Sequence, residues 1–509
     1  MTFDLTALLR RHWTLPWALA LAAGLLMPLA LAPFDFWPAS LLSVALLFVA
    51  LAGSGRRAFW LGYAYGLGKY GLGVSWVFVS IHQYGNASIP LAALLVALFV
   101  AGLALFPALF TWLWGRFVYR SDVPLGWCNA TSFALAFVLH EWVTTWLLTG
   151  FPWLLLGYAH LDTVLASLAP VGGVLLISLA VALSGCWLVA ALFEGGASVR
   201  LRWSLAGLAA APWVLALLAS LPTWVQEVDR GSVALVQGNV PQEAKWRPET
   251  VAPIMALYQE LSEPHWGHDL VIWPEAALTA FQHQIPDYLA DMDRRAAAGG
   301  TTLVMGIPAY EQRPDGTGAF LNTAIALGQG DGAYTKRRLV PFGEYVPLAG
   351  LLRGLIDFFD LPMSRAVAGP ENQPPLIAGG RRLAMAICYE IVYPDLVQRS
   401  ARDADLLVTI SNDAWFGHSI GPHQHMQKAR MRALENGRYL LRATNNGITG
   451  VVDHRGRLLE ALPQFELGVL EREYRVMGGR TWFSRTGSTP LLVLMGLGLG
   501  LLIWLPRHR

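Results

Sequence analysis

The strongest constraint on this chain is where its charges are missing. The 509 residues include 37 Lys or Arg and 35 Asp or Glu, yet only nine and six of these lie in residues 1–222. A bilayer-crossing helix needs about 20 mostly apolar residues. The charge-poor stretch offers such runs at roughly 14–33, 36–53, 58–80, 89–115, 124–148, 166–193 and 203–222. An eighth, at roughly 490–506, closes the chain. The expectation is a multi-span α-helical membrane domain of about eight transmembrane helices, with a charged soluble domain inserted before the last.

Basic residues predict the orientation. Arg10 and Arg11 precede the first run, and Arg56 and Arg57 separate the second from the third. Arg116 and Arg120, then Arg200 and Arg202, mark the next alternate connections, and Arg507 and Arg509 follow the last run. The connections between them, near Asp35, 82–86 and 151–162, carry no Lys or Arg. Cytoplasmic connections collect positive charge, so both termini are expected in the cytoplasm and residues 223–489 on the far side. The first run is long, lacks a small-residue cleavage site and is followed by further spans, so it reads as retained.

Phe151, Trp153 and Tyr158 read as an interfacial aromatic belt. Lys69, His140 and Glu141 fall inside spans, where ionisable groups are costly. They read as a proton path or substrate site, or as a polar pair between helices. Gly496, Gly498 and Gly500 lie in an apolar run, where small residues let helices approach.

Composition removes several classes. Hydrophobic residues make up 54% and charged ones 14%, against roughly 25% charged in soluble proteins, which excludes a disordered or wholly soluble chain. A net charge of +2 projects no basic field toward nucleic acid. Three cysteines exclude a disulfide-dense scaffold or a cysteine-rich metal cluster.

From residue 231 short β-branched runs alternate with amphipathic stretches. Strands are expected at 232–236, 269–273, 301–307, 321–327, 383–387, 405–410, 440–444 and 448–452, helices at 251–261, 286–297, 394–401 and 425–435, and a surface loop at 308–318. This alternation reads as a layered α/β domain. Glu275, Cys388, Asn412 and Asp413 follow strand ends, and Lys336 lies in Y-T-K-R-R-L-V-P-F-G-E-Y-V-P. Ligands of layered α/β proteins sit beyond the carboxyl ends of strands, so a shared site is expected.

Cys388 is the one cysteine outside the apolar runs, since Cys128 and Cys186 fall in or beside them. It reads as a reactive thiol or as a small buried hydrophobe. A neighbouring lysine would lower its pKa and supply thiolate, and a glutamate would take its proton. Spacing alone does not bring 275, 336 and 388 together.

W-P-E at 273–275, Y-x-K-x-x-L-V-P-F-G-E at 334–344 and C-Y-E at 388–390 resemble the Glu–Lys–Cys signature of the nitrilase, or carbon–nitrogen hydrolase, superfamily. The match is closer still to the apolipoprotein N-acyltransferase family. V-Q-G-N-V-P-Q, S-N-D-A-W-F-G, M-R-A-L-E, T-N-N-G-I-T and L-T-G-F-P-W-L are similar to that family's segments. The resemblance implies an αββα nitrilase-like domain at 223–480, between seven transmembrane helices at 1–222 and an eighth helix with a short cytoplasmic tail at 481–509.

The resemblance implies further that Cys388 carries an acyl group as a thioester, that Glu275 is the proton acceptor, and that Lys336 stabilises the oxyanion. Glu344 is implied as a further essential carboxylate, Tyr389 and Glu390 as guardians of the nucleophile's geometry, and Trp246 as part of a mobile arm. The implied donor is a phospholipid, typically phosphatidylethanolamine. The implied acceptor is the free amine of a diacylglyceryl-cysteine lipoprotein, and the implied place is a bacterial inner membrane with the catalytic domain in the periplasm.

Trp246, Trp415, Phe416 and Tyr345 are candidate apolar walls, with core packing as the alternative, and Asn412 is a candidate substrate contact. Competing readings are a membrane-tethered amidase with water as acceptor, and a transporter or scaffold. No cofactor is expected. His418, His423 and His425 cluster without cysteine or carboxylate partners at a recognisable spacing, so no metal is expected there either.

Overall fold

The computed structural model describes residues 5–312, 318–347, 350, 354 and 365–504, with the backbone alone at positions 10 and 56. Arg507 and Arg509 lie outside the described residues. The chain forms two compact units: Met1–Ser75 with Ala93–Thr223 and Thr486–Arg509, and Trp76–Ala92 with Trp224–Arg485. Residues 76–92, read from sequence as the end of one span and the start of the next, therefore cluster with the second unit.

Each of the eight apolar runs contains a helix. Among the described residues, three helices are long and apolar enough to cross a membrane: Ile89–Phe117, Val164–Phe193 and Val199–Ala219. Leu15–Leu29, Pro38–Leu51 and Thr489–Trp504 are apolar but shorter, and Ala58–Gly73 and Trp127–Thr144 complete the set. The run expected at 58–80 breaks at Gly73, and a separate turn, Trp76–Val79, follows.

Small residues set the packing of the first helices. A Cβ on Gly24 would collide with the carbonyl of Tyr65, and one on Gly68 would lie 2.7 Å from the carbonyl of Leu21. Leu15–Leu29 and Ala58–Gly73 thus approach backbone to backbone, where dispersion is strongest. The last helix differs from expectation. Only Gly498 has a neighbour, Leu135, while Gly496 and Gly500 face open space.

Lys69 and Glu141 resolve in favour of a pair. Their charged atoms are 4.0 Å apart with both side chains buried, and Glu141 also accepts the Leu156 N–H at 2.7 Å. His140 stacks on Phe110 with ring centres 5.1 Å apart. The aromatic belt is overturned for Trp153 and Tyr158, which are fully buried and serve as core packing, while Phe151 is half-buried.

The second unit contains two sheets. In chain order the strands are β1 (Val225–Gln237), β2 (Leu270–Ile272), β3 (Thr302–Gln312), β4 (Gly318–Gly328), β5 (Gly330–Asp331), β6 (Ala333–Thr335) and β7 (Leu376–Ala378). There follow β8 (Arg381–Ile387), β9 (Leu406–Ser411), β10 (Leu440–Thr444), β11 (Gly450–Val452), β12 (Leu458–Ala461) and β13 (Gly468–Gly479). One sheet runs β13-β1-β2-β3-β4-β6 and the other β12-β11-β10-β9-β8-β7-β5. β1, β2 and β3 are mutually parallel, as are β8, β9 and β10.

Alternation of side chains explains the layers. Val233 and Leu235 of β1 join Leu383, Met385 and Ile387 of β8 in one core between the sheets. Ala234 and Val236, pointing the other way, pack with Ile254, Tyr258 and Met292 of the helices Val251–Ser262 and Pro286–Gly299. The helices Pro394–Ala401 and Gly421–Asn436 pack against β8 and β10 of the second sheet. Helix, sheet, sheet and helix form four layers.

The expected loop at 308–318 is instead mostly hairpin. β3 and β4 pair without interruption from Thr302↔Gly328 to Gln312↔Gly318, and 313–317 lie outside the described residues. Polar side chains there sit on an exposed ladder, which hydrophobicity alone reads as loop.

Candidate active site

The site is assembled at strand ends. β2 is followed by Trp273, fully buried and donating from Nε1 to the Ser262 hydroxyl at 2.8 Å. This anchor and Pro274 deliver Glu275. Gly306 of β3 passes so close that a Cβ there would lie 2.7 Å from the Glu275 Cα, so only glycine leaves Glu275 its place.

Glu275 is 7% exposed. Its Oε1 lies 3.1 Å from Lys336 Nζ and accepts from Asn322 Nδ2 at 2.7 Å, and its Oε2 accepts the Asn412 N–H at 2.8 Å. Lys336, one residue past β6, also donates to Glu344 Oε1 at 2.9 Å. Asn322 donates to that same oxygen at 3.0 Å, and the Val340 N–H holds Glu344 Oε2 at 2.8 Å. One ammonium and one amide thus bridge two carboxylates.

Burial opposes the charges of Glu275 and Lys336, yet partners prevail. Lys336, Asn322 and the Asn412 N–H hold the Glu275 carboxyl below its ordinary value. Glu275 and Glu344 hold the Lys336 ammonium well above its own, against burial. Both are charged at neutral pH.

Cys388 closes β8 in the left-handed region, at φ +53°, a conformation that costs a non-glycine residue of order 1 kcal/mol or more. It feels the charges of Glu275 and Lys336 and is hydrogen-bonded to Ser411. Burial, then Glu275, push its thiol above the ordinary value, and Lys336 does not reverse this. The pull of the lysine is thus outweighed, and the thiol rests protonated beside a charged carboxylate, the group read from sequence as its proton acceptor.

Supporting residues hold this geometry. Glu390 is fully buried and accepts the Tyr334 hydroxyl at 2.9 Å, the Arg337 N–H at 2.7 Å and the Ile387 N–H at 2.8 Å. It ties the Lys336 segment to the strand of Cys388, and burial raises its pKa. Tyr389 is buried edge-on against Tyr393, 5.2 Å between centres. Tyr345 closes the turn beside Glu344, its carbonyl accepting the Phe342 N–H at 2.7 Å.

Asn412 donates to Gln242 Oε1 at 2.8 Å and accepts from Asn445 Nδ2 at 3.2 Å. Asn445 in turn clamps Val240 through both N–H and C=O. The motifs at 236–242, 411–417 and 444–449 therefore form one amide network. Lys245 is buried, with Nζ 3.3 Å from the Glu275 carbonyl, and burial lowers its pKa to about 8.

The aromatic candidates divide. Trp246 is 38% exposed. Phe416 packs edge-on against Trp76 at 4.7 Å, and Trp415 against Tyr84 at 5.8 Å, while the Ser80 hydroxyl donates to the Trp415 carbonyl at 2.7 Å. Both are engaged by the 76–84 segment within the same unit.

The histidine cluster also disperses. His418 lies on Phe465 and His423 beside Gln464. His425 is fully buried with Nδ1 3.0 Å from Asp413 Oδ1, and Arg442 donates to Asp413 Oδ2 at 2.7 Å.

Sequence reasoning missed Asn322, Lys245, Gln242, Asn445, Tyr334, His425 and Arg442 as parts of the site. Asn322 had a usable signal, a carboxamide in the middle of an apolar strand. The others acquire meaning only from partners distant in sequence.

Residues 23–187 match the family model described as apolipoprotein N-acyltransferase N-terminal domain, and residues 232–481 match carbon–nitrogen hydrolase. The chain is similar to the apolipoprotein N-acyltransferase of Pseudomonas aeruginosa, 47% identical over 96% of this chain and 94% of that protein. Its similarity to the protein of that name from Azotobacter vinelandii is 48% over 95% and 93%. For the Vibrio vulnificus protein the figures are 41% over 95% and 96%.

Proposed function

Because the chain belongs to the apolipoprotein N-acyltransferase family, we propose that it moves an acyl chain from a phospholipid, through a thioester on Cys388, to the N-terminal amine of a diacylglyceryl-cysteine lipoprotein. That it is a membrane acyltransferase acting on lipoproteins follows from the family. Its donor, expected to be phosphatidylethanolamine, and the residue roles are our reading.

In that reading Glu275 takes the thiol proton as sulfur attacks the ester carbonyl. The oxyanion forms beside the Lys336 ammonium, where a fixed charge in a dry site is most effective. The C–O bond breaks, the lysophospholipid leaves with the proton from Glu275, and the acyl group stays on sulfur. The acceptor amine then attacks, Glu275 takes its proton, and the C–S bond breaks to return the thiol. Proton transfer is uphill in the resting enzyme and is drawn forward by C–S bond formation. The observation that carries this is the buried Glu275–Lys336–Glu344 group around a thiol that rests protonated: one carboxylate remains to neutralise the lysine while the other shuttles a proton.

Domain boundaries at 222/223 and 480/481 and eight spans fit this role. So does a bacterial inner-membrane location with the catalytic domain periplasmic and both termini cytoplasmic. Trp246, Trp415, Phe416, Tyr345 and Asn412 are proposed to line the path of the two lipids, with Glu344, Tyr389 and Glu390 in support. Purified protein in detergent should transfer labelled acyl chain from phosphatidylethanolamine to a synthetic diacylated lipopeptide. Release of free fatty acid at the same rate without the amine would favour the amidase-like reading instead.

A further inference from the structure

Away from this site, two imidazoles and one carboxylate converge. His265 and His268 belong to the turn H-W-G-H that leads into β2, and Glu471 belongs to β13. The sheet brings them together, because Ala234 of β1 pairs with Glu471 on one side and Val271 of β2 on the other. His265 Nδ1 lies 3.1 Å from Glu471 Oε1, and His268 Nε2 lies 3.5 Å from Oε2. One ligand atom from each residue fits within 4.8 Å of the other two.

The proton positions make this cluster unusual. His268 Nδ1 is 3.2 Å from the His265 carbonyl, an acceptor, so Nδ1 carries the proton. That leaves Nε2 as the nitrogen facing the carboxylate oxygen, the one able to offer a lone pair to a metal. His265 Nδ1 is buried and, although 3.1 Å from Glu471 Oε1, lies outside hydrogen-bond geometry to it. Two imidazole nitrogens and a carboxylate converging at such distances offer a donor set for a cation.

We infer that His265, His268 and Glu471 form a binding site for a divalent transition-metal ion, best matched by zinc. Zinc takes imidazole nitrogen and carboxylate oxygen at about 2.0–2.1 Å in a tetrahedron, which places ligand atoms roughly 3.4 Å apart. The separations from His265 to Oε1 and from His268 to Oε2, 3.1 and 3.5 Å, lie near that value. The His268 bond to a backbone carbonyl is the outer contact that orients a metal-bound imidazole. The turn itself is set: the Gly267 N–H donates to the Thr301 hydroxyl at 2.9 Å and the His268 N–H to the His265 carbonyl at 3.1 Å. The Glu471 side chain is 55% exposed, which leaves a fourth position for water. Bound metal would staple the turn before β2 to β13.

The test uses the full chain in detergent, purified without a histidine tag, in a Cys388→Ala background so that the active-site thiol cannot compete. Cobalt(II) should bind one equivalent with the visible absorption of a tetrahedral N/O site, zinc should displace it, and zinc but not magnesium should raise Tm. Glu471→Gln and His268→Ala should each weaken cobalt binding by about 10- to 100-fold or more, the range for disturbing a metal's support. Acyl transfer by the same two variants with Cys388 restored should be unchanged. Absence of the cobalt spectrum in the parent protein, or equal binding by parent and both variants, would overturn the site and leave an ordinary histidine–glutamate contact.

Discussion

The Nε2 of His425 lies 3.1 Å from the main-chain carbonyl of Cys388. This nitrogen therefore bears the ring's proton and donates it to the strained residue at φ +53°. Burial and the Arg442 guanidinium keep the ring below its ordinary pKa, and its Nδ1 lies 3.0 Å from Asp413 Oδ1 and 3.1 Å from Arg442 Nη2. Arg442 is held in turn by Asp413. A buried charge network thus fixes the backbone on which the thiol is presented.

His425 is accordingly a positioning residue. His425→Ala should lower kcat by about 10- to 100-fold, the scale of a misplacement of about 1 Å, with far less change in KM. Steady-state kinetics at several donor concentrations decide this. A rise in KM at unchanged kcat would assign His425 to substrate binding instead.

Glu275→Gln retains the hydrogen bonds of the side chain but cannot accept a proton. Transfer should fall by roughly 10²-fold or more. Folding should survive, because Glu344 still pairs with Lys336. Near-normal turnover would pass the base role to another group.

Incubation with phospholipid alone should load Cys388 as a thioester. Labelled acyl chain should stay on the protein through denaturation, leave with neutral hydroxylamine, and discharge onto a diacylated lipopeptide. Cys388→Ser should not load, whereas Cys128→Ala and Cys186→Ala should. Label surviving in Cys388→Ser would relocate the nucleophile.

Asp413 sets an acid limit on stability. Burial raises its pKa, but Arg442 and His425 outweigh this and hold the carboxyl well below the ordinary 3.8. A depressed folded-state value adds stability that is complete above the unfolded value and is lost as pH falls through the folded one. Tm should therefore decline as pH drops from about 5 towards about 2. Asp413→Asn should unfold about 3–5 kcal/mol more easily at neutral pH, because it strands Arg442, and its acid decline should be shallower. Parallel declines would place the acid sensitivity elsewhere.

The arginine-bearing connections predict both termini inside and the second unit outside. A reporter active only outside the cytoplasm should work when fused after Thr223 and stay silent after Arg509. The opposite pattern would invert the topology.

Features with a local cause were legible in the sequence. Apolar runs marked the helices of the first unit because lipid demands a continuous apolar surface, although the break at Gly73 and the capture of 76–92 by the second unit came from packing that no run length encodes. The cores of β1, β2, β8, β9 and β10 were legible because strands buried on both faces are apolar throughout. β13 was not, since its E-R-E-Y-R pattern is unremarkable until β1 supplies a partner along its whole length.

Glu275, Lys336 and Cys388 were nameable from motifs, but their protonation was not. A lysine beside a thiol suggested thiolate, whereas two carboxylates claim that lysine and burial keeps the thiol neutral. In the same way H-W-G-H became a metal-ligand candidate only when β13 brought Glu471 beside it. Charge energies depend on distance and on exclusion of water in three dimensions, so the sequence by itself determined which groups the protein owns, and the tertiary structure decided which of them are charged and with whom.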